Sequence, residues 1–416
     1  MSRYIRVPAA FAVAALAVLP QAGPAATPAA AQEQCQFPSD DYKGTPWSLQ
    51  RVNLEDMWKA AGGKGKGVRV AVIDSGVDIK NRQLTAAVDA AAGANFLPKK
   101  PKPDQYGQVP ERGAANGTSD EVGHGTRVAG IIAASEDPTK KTGFVGIAPE
   151  ATIIPIKQND ANGTGTSDTM AQAIDHAVKQ GADVINISQD TAKALPAASN
   201  LEVAVENALA NNVVVIASAG NDGLDRKTKK TYPASYPGVL AVAASDRNNE
   251  RAPFSQSGDF VGIAAPGVDM VSTVPGGGHC TDNGTSFSAP YVAGVAALLV
   301  AKHPDWKPNE IVAQLEQTAE RSIRGHDVLV GWGVVDPVRA LTEDAEPIEA
   351  PQVDKAGKLD PANYPTAARI PVGESEQQRN ERIGSYAVVA GVVLVALTAG
   401  IARVFQDRAK RRRRTV

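Results

Sequence analysis

Cysteine and histidine are scarce in this chain: two and five among 416 residues. Two cysteines cannot staple a disulfide miniprotein. The histidines, at 124, 176, 279, 303 and 326, form no H-E-x-x-H, and the cysteines form no C-x-x-C, so neither a metal nor another cofactor is implied. Calcium-binding loops have no clear match either. No internal repeat is present, and a 43% hydrophobic composition excludes a disordered or collagen-like chain. The net charge is only −2, and the basic residues crowd the two ends, leaving an acidic body. That balance excludes nucleic acid as the main partner. The length suffices for one large α/β domain with appendages.

The two ends carry addresses. Arg3 and Arg6 precede a short apolar run over residues 9–19, and Ala29-Ala30-Ala31 offers an A-x-A cleavage site before Gln32. Residues 1–31 therefore read as a signal peptide of an exported protein. From Ile383 to Ala402 the chain runs twenty residues without a charge. At 1.5 Å per residue that is roughly 30 Å, one bilayer core, so a transmembrane helix is expected there. Arg403, Arg408, Lys410 and Arg411 to Arg414 follow it. The positive-inside rule then keeps residues 403–416 in the cytoplasm and the body outside, on a single-pass anchor in the cell membrane. Residues 343–382, with five prolines and little apolar periodicity, read as an extended linker. Residues 96–120 are too polar and too rich in Pro and Gly for a helix or strand, and long loops of this kind are functional or mobile.

Between these ends, short apolar strands alternate with helices. Strands are expected over 67–74, 151–158, 183–188, 213–217 and 239–244, each a continuous β-branched or small apolar run. Helices are expected over 52–60, 125–135, 167–180, 201–211, 286–301 and 309–320, with Ser167 capping the third and Ile174, Ala177 and Val178 on its inner face. The fold class is α/β, a parallel sheet with helices on both faces. Ligands in such sheets bind beyond the carboxyl ends of the strands.

Three segments at element boundaries carry chemistry. Asp74 ends the first strand in VAVIDSGVD, His124 opens a helix in GHGTRVAG, and Ser286 opens another in NGTSFSAPYVAG. A serine hydroxyl becomes nucleophilic when an imidazole takes its proton, and the imidazole needs a carboxylate on its other nitrogen. Ser286 at a helix start sits beside the positive helix end, and Asn221, after the strand VVVIASAG, supplies an amide suited to an oxyanion. Taken singly, each segment also fits an ordinary turn Asp, a core-facing His or an N-cap Ser. Together, in the order Asp, His, Ser, they separate the subtilisin arrangement from those of chymotrypsin and the α/β-hydrolases. The Gly-Thr-Ser-Phe-Ser context of Ser286 also lacks the G-x-S-x-G elbow of an esterase.

The segments VAVIDSGVD, GHGTRVAGIIAA, VVVIASAGND and NGTSFSAPYVAGVAALL resemble the subtilisin-like serine proteases, the subtilases. The resemblance spans about 47–341. It implies that Asp74 orients His124, that His124 acts as base then acid, that Ser286 attacks, and that Asn221 stabilises the oxyanion. FVGIAPEATIIPIKQ, GWGVVDPVRAL and the two ends further resemble mycosins, membrane-anchored proteases of type VII secretion systems in actinobacteria. That resemblance implies protein substrates and contacts with subunits of a type VII secretion complex. It also implies a protease domain over 47–342, preceded by a short extension (32–46) that wraps the domain without blocking its cleft. Too few residues precede Asp74 for a separately folded prodomain.

Ser188-Gln189-Asp190 stands where many subtilases have Ser-Leu-Gly, whose backbone pairs with the substrate. Ser188 and Gln189 are therefore candidate cleft residues. Either Gln189 and Asp190 narrow or polarise the cleft, or Gln189 points to solvent. In an exported chain the pair Cys35 and Cys280 reads as one disulfide; two free thiols, or a bond from Cys35 to another chain, remain the alternatives. The function expected is an extracytoplasmic serine endopeptidase of narrow specificity. The alternative is a scaffold that stabilises a secretion complex, with proteolysis secondary.

Overall fold

The computed structural model describes residues 35–99, 109, 111–160, 165–193, 195–225, 227, 229–355 and 374–412. The expected signal peptide, residues 356–373 of the expected linker and the last four residues lie outside them. Two compact units divide at Lys355 and Ala356.

In the first unit the elements run α1 (Trp47–Gln50), α2 (Leu54–Ala61), β1 (Arg69–Asp74), β2 (Ala94–Asn95), α3 (His124–Ala133), β3 (Thr152–Lys157), α4 (Ser167–Lys179), β4 (Val184–Ile187) and α5 (Asn200–Ala210). They continue with β5 (Val214–Ser218), β6 (Leu240–Ser245), β7 (Val261–Pro266), β8 (Met270–Thr273), β9 (His279–Asp282), α6 (Thr285–Lys302), α7 (Pro308–Gln317) and α8 (Pro337–Thr342). Seven strands form one sheet in the order β2-β3-β1-β4-β5-β6-β7, and every pairing is parallel. β8 and β9 make a separate antiparallel hairpin.

Alternation along the strands sorts the core into two layers, because successive side chains point to opposite faces. Val70, Val72, Val184, Val214 and Ile216 pack with α3 and α6. Ala71, Ile73, Ile185, Ile187 and Val215 pack with Ile174 and Ala177 of α4 and with Leu201 and Val205 of α5. α6 is apolar all round, and its residues from Thr285 to Leu299 are buried. That is how a helix reads when it fills a core rather than coats one.

Several boundaries differ from the sequence expectation. α4 is capped by Thr166, whose hydroxyl accepts from Thr169 N–H, and Ser167 is already its first residue. α6 begins at Thr285, which makes Ser286 its second residue. β7 and the β8–β9 hairpin were not anticipated, since VGIAAP, MVST and HCTD are too short and too small in side chain to give a periodic signal. Residues 343–355, expected in the linker, belong to the first unit. Asp344 anchors them: its Oδ2 lies 2.6 Å from Lys302 Nζ and 2.7 Å from His303 Nε2. His303 and His176 are only partly exposed. His303 stacks on Trp306 at 4.0 Å, and His176 Nε2 sits 2.8 Å from the Ala92 carbonyl.

The residues before α1 form a strap along the β8–β9 hairpin. Ser39 N–H donates to the Gly277 carbonyl, and His279 N–H to that of Asp40, both at 3.0 Å. A disulfide joins Cys35 to Cys280, with Cα atoms 5.9 Å apart and a sequence separation of 245. Closing so long a loop restricts the unfolded chain. Replacing both cysteines by serine should therefore lower unfolding stability by about 2–4 kcal/mol. Denaturant unfolding followed by tryptophan fluorescence reads this directly, as all four tryptophans lie in the first unit. An unchanged midpoint would remove the staple from the account.

The second unit holds α9 (Glu376–Arg412), which starts seven residues inside the expected linker. Its apolar stretch has a mean hydropathy of 2.3 and none of it is buried within the chain, which makes it a candidate membrane span. α6 is also long and apolar, but 83% of it is buried in the body, so it is a core helix.

Candidate active site

Asp74, Ser188 and Asn221 all stand at or just past the carboxyl ends of neighbouring strands: β1, β4 and β5. The amino ends of α3 and α6 bring His124 and Ser286 to the same edge of the sheet. This is where a parallel sheet exposes convergent loops and helix starts.

Asp74 is fully buried. Its two carboxylate oxygens lie 2.9 and 3.0 Å from His124 Nδ1, and Oδ1 also accepts from Ser75 N–H at 2.7 Å. The acceptor pair fixes the tautomer, with the proton on Nδ1 and Nε2 left as the base. Burial pulls the His124 pKa down, but the charge and hydrogen bond of Asp74 outweigh it and leave the imidazole above the ordinary 6.5. If His124 is the base, activity requires its neutral form. The acid limb of kcat/KM against pH should then have its midpoint above 6.5, with turnover rising as pH rises through it. A midpoint at or below the ordinary value would mean that Asp74 does not hold His124 in the working enzyme.

Local backbone geometry explains why glycines flank His124. Gly123 caps α3 with a left-handed φ of 79°. A Cβ on Gly125 would stand 2.1 Å from the Gly76 carbonyl oxygen and 3.0 Å from Asp74 Cβ, so only glycine lets α3 approach the end of β1 this closely. Ser75 and Asp120 complete the junction. Ser75 Oγ accepts from Gly125 N–H at 2.9 Å and donates to Asp120 Oδ1 at 2.8 Å. Asp120 also accepts from the backbone of Gly123 and Thr126 and from the Thr126 hydroxyl. Lys157, buried at the end of β3, pairs with Glu121 and with the Ser75 carbonyl, which ties the loop before α3 to the same strand end. Sequence reading missed Ser75, Asp120 and Lys157; a buried lysine closing an apolar strand was the one available signal.

Ser286 is 8% exposed and sits in the first turn of α6, where unpaired N–H groups and the helix dipole favour developing negative charge. Pro290, inside the helix, lacks the N–H that would otherwise bond the Ser286 carbonyl. Next to Ser286, the Phe287 ring lies 5.3 Å from the His124 ring, and the Arg127 guanidinium lies over the Phe287 ring, 5.6 Å from its centroid. Asn221 Oδ1 accepts from Thr285 N–H at 2.9 Å and from Thr285 Oγ1 at 3.0 Å. Those two bonds turn the amide so that Nδ2 faces away from Thr285. A point at the Cβ position of Gly284 lies 2.9 Å from Ser286 Oγ and 3.6 Å from Asn221 Nδ2, so hydroxyl and amide border one small space. An arrangement of this kind can activate a hydroxyl, accept its proton and stabilise an oxyanion.

Ser188 is buried, and its Oγ accepts from Asn186 Nδ2 at 2.8 Å, so its side chain is engaged inward. Gln189 does not point wholly to solvent, because its Nε2 is buried.

The model of the subtilase family (peptidase S8) matches residues 65–333. The chain belongs to the subtilase family. Subtilisin E of Bacillus subtilis (strain 168) is 35% identical over 295 residues, covering 71% of this subtilase and 70% of the relative. M-protease of Shouchella clausii (strain KSM-K16) is 37% identical over 294 residues, covering 71% and 69%. Among solved structures, MycP1 from the ESX-1 type VII secretion system matches with a TM-score of 0.62 at 30% identity, covering 77% of this subtilase and 90% of that chain. MycP3 from the type VII (ESX-3) system matches with a TM-score of 0.61 at 33% identity, covering 74% and 90%. The subtilase is thus a serine protease of subtilisin-like fold and is similar to the mycosins, and proteins are its substrates.

Proposed function

We propose that this subtilase is a membrane-anchored, extracytoplasmic endopeptidase of narrow specificity that works beside a type VII secretion system. Ser286 attacks the scissile carbonyl while His124 Nε2 takes its proton. Asp74 steadies the imidazolium, and Asn221 Nδ2 with the start of α6 holds the oxyanion. Collapse of the tetrahedral species, with His124 returning the proton to the leaving amine, gives an acyl-enzyme that water then releases. The observation that carries this reading is the Asp74–His124 hydrogen bond at the strand edge that also holds Ser286 and an oriented Asn221.

The membrane anchor rests on the uncharged stretch of α9, and its orientation on the arginines and lysine that follow. Narrow specificity is supported by Gln189 and Asp190, which put polar groups where the substrate strand would lie. A role at a secretion system rests on similarity to MycP1 and MycP3.

Fluorophosphonate labelling of the full chain in detergent, beside its Ser286→Ala form, tests the reading. Labelling of the unsubstituted chain alone is expected. If neither labels, Ser286 is not an activated nucleophile. If instead a Ser286→Ala chain fully restores secretion to a strain lacking the gene, the chain serves the secretion complex as a scaffold.

A further inference from the structure

One turn along α3 from His124, Arg127 is almost wholly buried, at 8% exposed. A cation so placed needs its charge answered and its donors paired. Its Nε donates to the Gly123 carbonyl at 3.1 Å, the same oxygen that accepts from the Arg127 backbone N–H at 3.2 Å. Its Nη1 forms an ion pair with Asp282 Oδ2, and Asp282 ends β9, shortly before Ser286. Asp282 turns Oδ1 to the Asn283 N–H at 2.8 Å, which leaves Oδ2 for the guanidinium. The backbone of this turn is tied down as well. Ser272 Oγ of β8 donates to the Arg127 carbonyl at 2.6 Å, and Thr273 Oγ1 to that of Thr126 at 2.9 Å.

The guanidinium lies over Phe287, and the same ring borders the His124 imidazole. A fixed cation therefore stands beside the imidazole. Burial favours the neutral imidazole, Asp74 at the end of β1 favours the imidazolium through its charge and hydrogen bond, Arg127 opposes the imidazolium, and Asp120 in the loop before α3 favours it. α6 contributes Ser286 and Phe287, neither of them charged, and β9 contributes Asp282, whose charge answers that of Arg127. Without the cation, two aspartates would face the imidazole unopposed. The neutral form that can accept a proton from Ser286 would then become scarcer near neutral pH.

We propose that Arg127 is a positioning residue for proton transfer through His124. Fixed by the Gly123 carbonyl, Asp282 and the Phe287 ring, its guanidinium favours the neutral imidazole that accepts the Ser286 proton. For the same reason the imidazolium formed during the reaction gives its proton more readily to the leaving amine. Asp282 holds the guanidinium in place and moderates its field at His124. Lysine would supply the charge but not the planar fork that bonds Gly123 and Asp282 at once.

The inference rests on the proteolytic reading above, and the test separates the two. Rate constants for fluorophosphonate labelling are measured against pH on the full chain in detergent, which needs no choice of peptide. Labelling requires neutral His124, so losing a cation that disfavours the imidazolium should move the acid-limb midpoint up in Arg127→Met. On that limb the variant should keep roughly a third of the fraction of its plateau rate that the unsubstituted chain keeps, the size expected of one charge near a protein surface. Arg127→Lys should bring the midpoint back towards that of the unsubstituted chain, whatever its plateau. Asp282→Asn should move the midpoint down, because it removes the counter-charge and leaves the guanidinium on Gly123 and Phe287. A midpoint unmoved or lowered in Arg127→Met, or one in Arg127→Lys no nearer the original, makes Arg127 a structural staple and overturns the assignment. Should Arg127→Met fail to fold by circular dichroism, Asp282→Asn decides, and a midpoint that stays or rises there overturns it equally. No labelling of the unsubstituted chain at any pH overturns the proteolytic reading and the role of Arg127 with it.

Discussion

Replacing Ser286 by alanine should lower kcat by roughly 10⁶-fold, and His124→Ala should do nearly the same. The double variant should lose little more. In the proposed mechanism hydroxyl and imidazole act as one unit: without the base the hydroxyl stays protonated, and without the hydroxyl the base has nothing to activate. Subtilisin, a relative of this chain, is the system in which that magnitude and that non-additivity were measured. Turnover of a fluorogenic peptide by the three variants, with folding checked by circular dichroism, decides the matter. Additive losses, or a Ser286→Ala form that keeps a substantial fraction of turnover, would sink the nucleophile assignment.

Asn221→Ala should cost about 10²–10³ in kcat, with KM nearly unchanged. An oxyanion donor contributes where charge develops, not where the ground-state carbonyl sits, so in the proposed role its loss appears in turnover rather than in binding. Two bonds from Thr285 to Asn221 Oδ1 hold Nδ2 ready before substrate arrives. Asn221→Asp offers a sharper contrast, because it keeps the shape and the acceptor while replacing the donor with a charge that repels the oxyanion. It should be at least as damaging as alanine. Near-full turnover by either variant would take Asn221 out of the oxyanion role.

Much of the fold was legible because parallel strands buried on both faces read as continuous apolar runs. The runs ending at Asp74 and at Ile187 are of that kind, and β1 and β4 lie within two residues of their expected bounds. β7 escaped because alanine, glycine and proline dominate it, and its place at the sheet edge is set by pairing with β6 rather than by its own pattern. The ordered segment 343–355 escaped for a similar reason. Its proline-rich composition favours an extended chain, and tertiary contacts such as that of Asp344 with Lys302 and His303 fix it on the body. Contacts between residues some forty positions apart leave no local signature.

The same division runs through the candidate site. By itself the sequence determined the α/β class, the apolar stretch near the carboxyl terminus, and which aspartate, histidine and serine stand at element boundaries, since those follow from local periodicity and short glycine-flanked motifs. Tertiary structure alone decided the rest. It set the carboxylate–imidazole distance, turned the Asn221 amide through Thr285, and brought together Cys35 and Cys280, 245 positions apart in sequence. Each of these depends on chain segments that meet only when the sheet is assembled, and hydrogen-bond direction and burial are properties of that meeting.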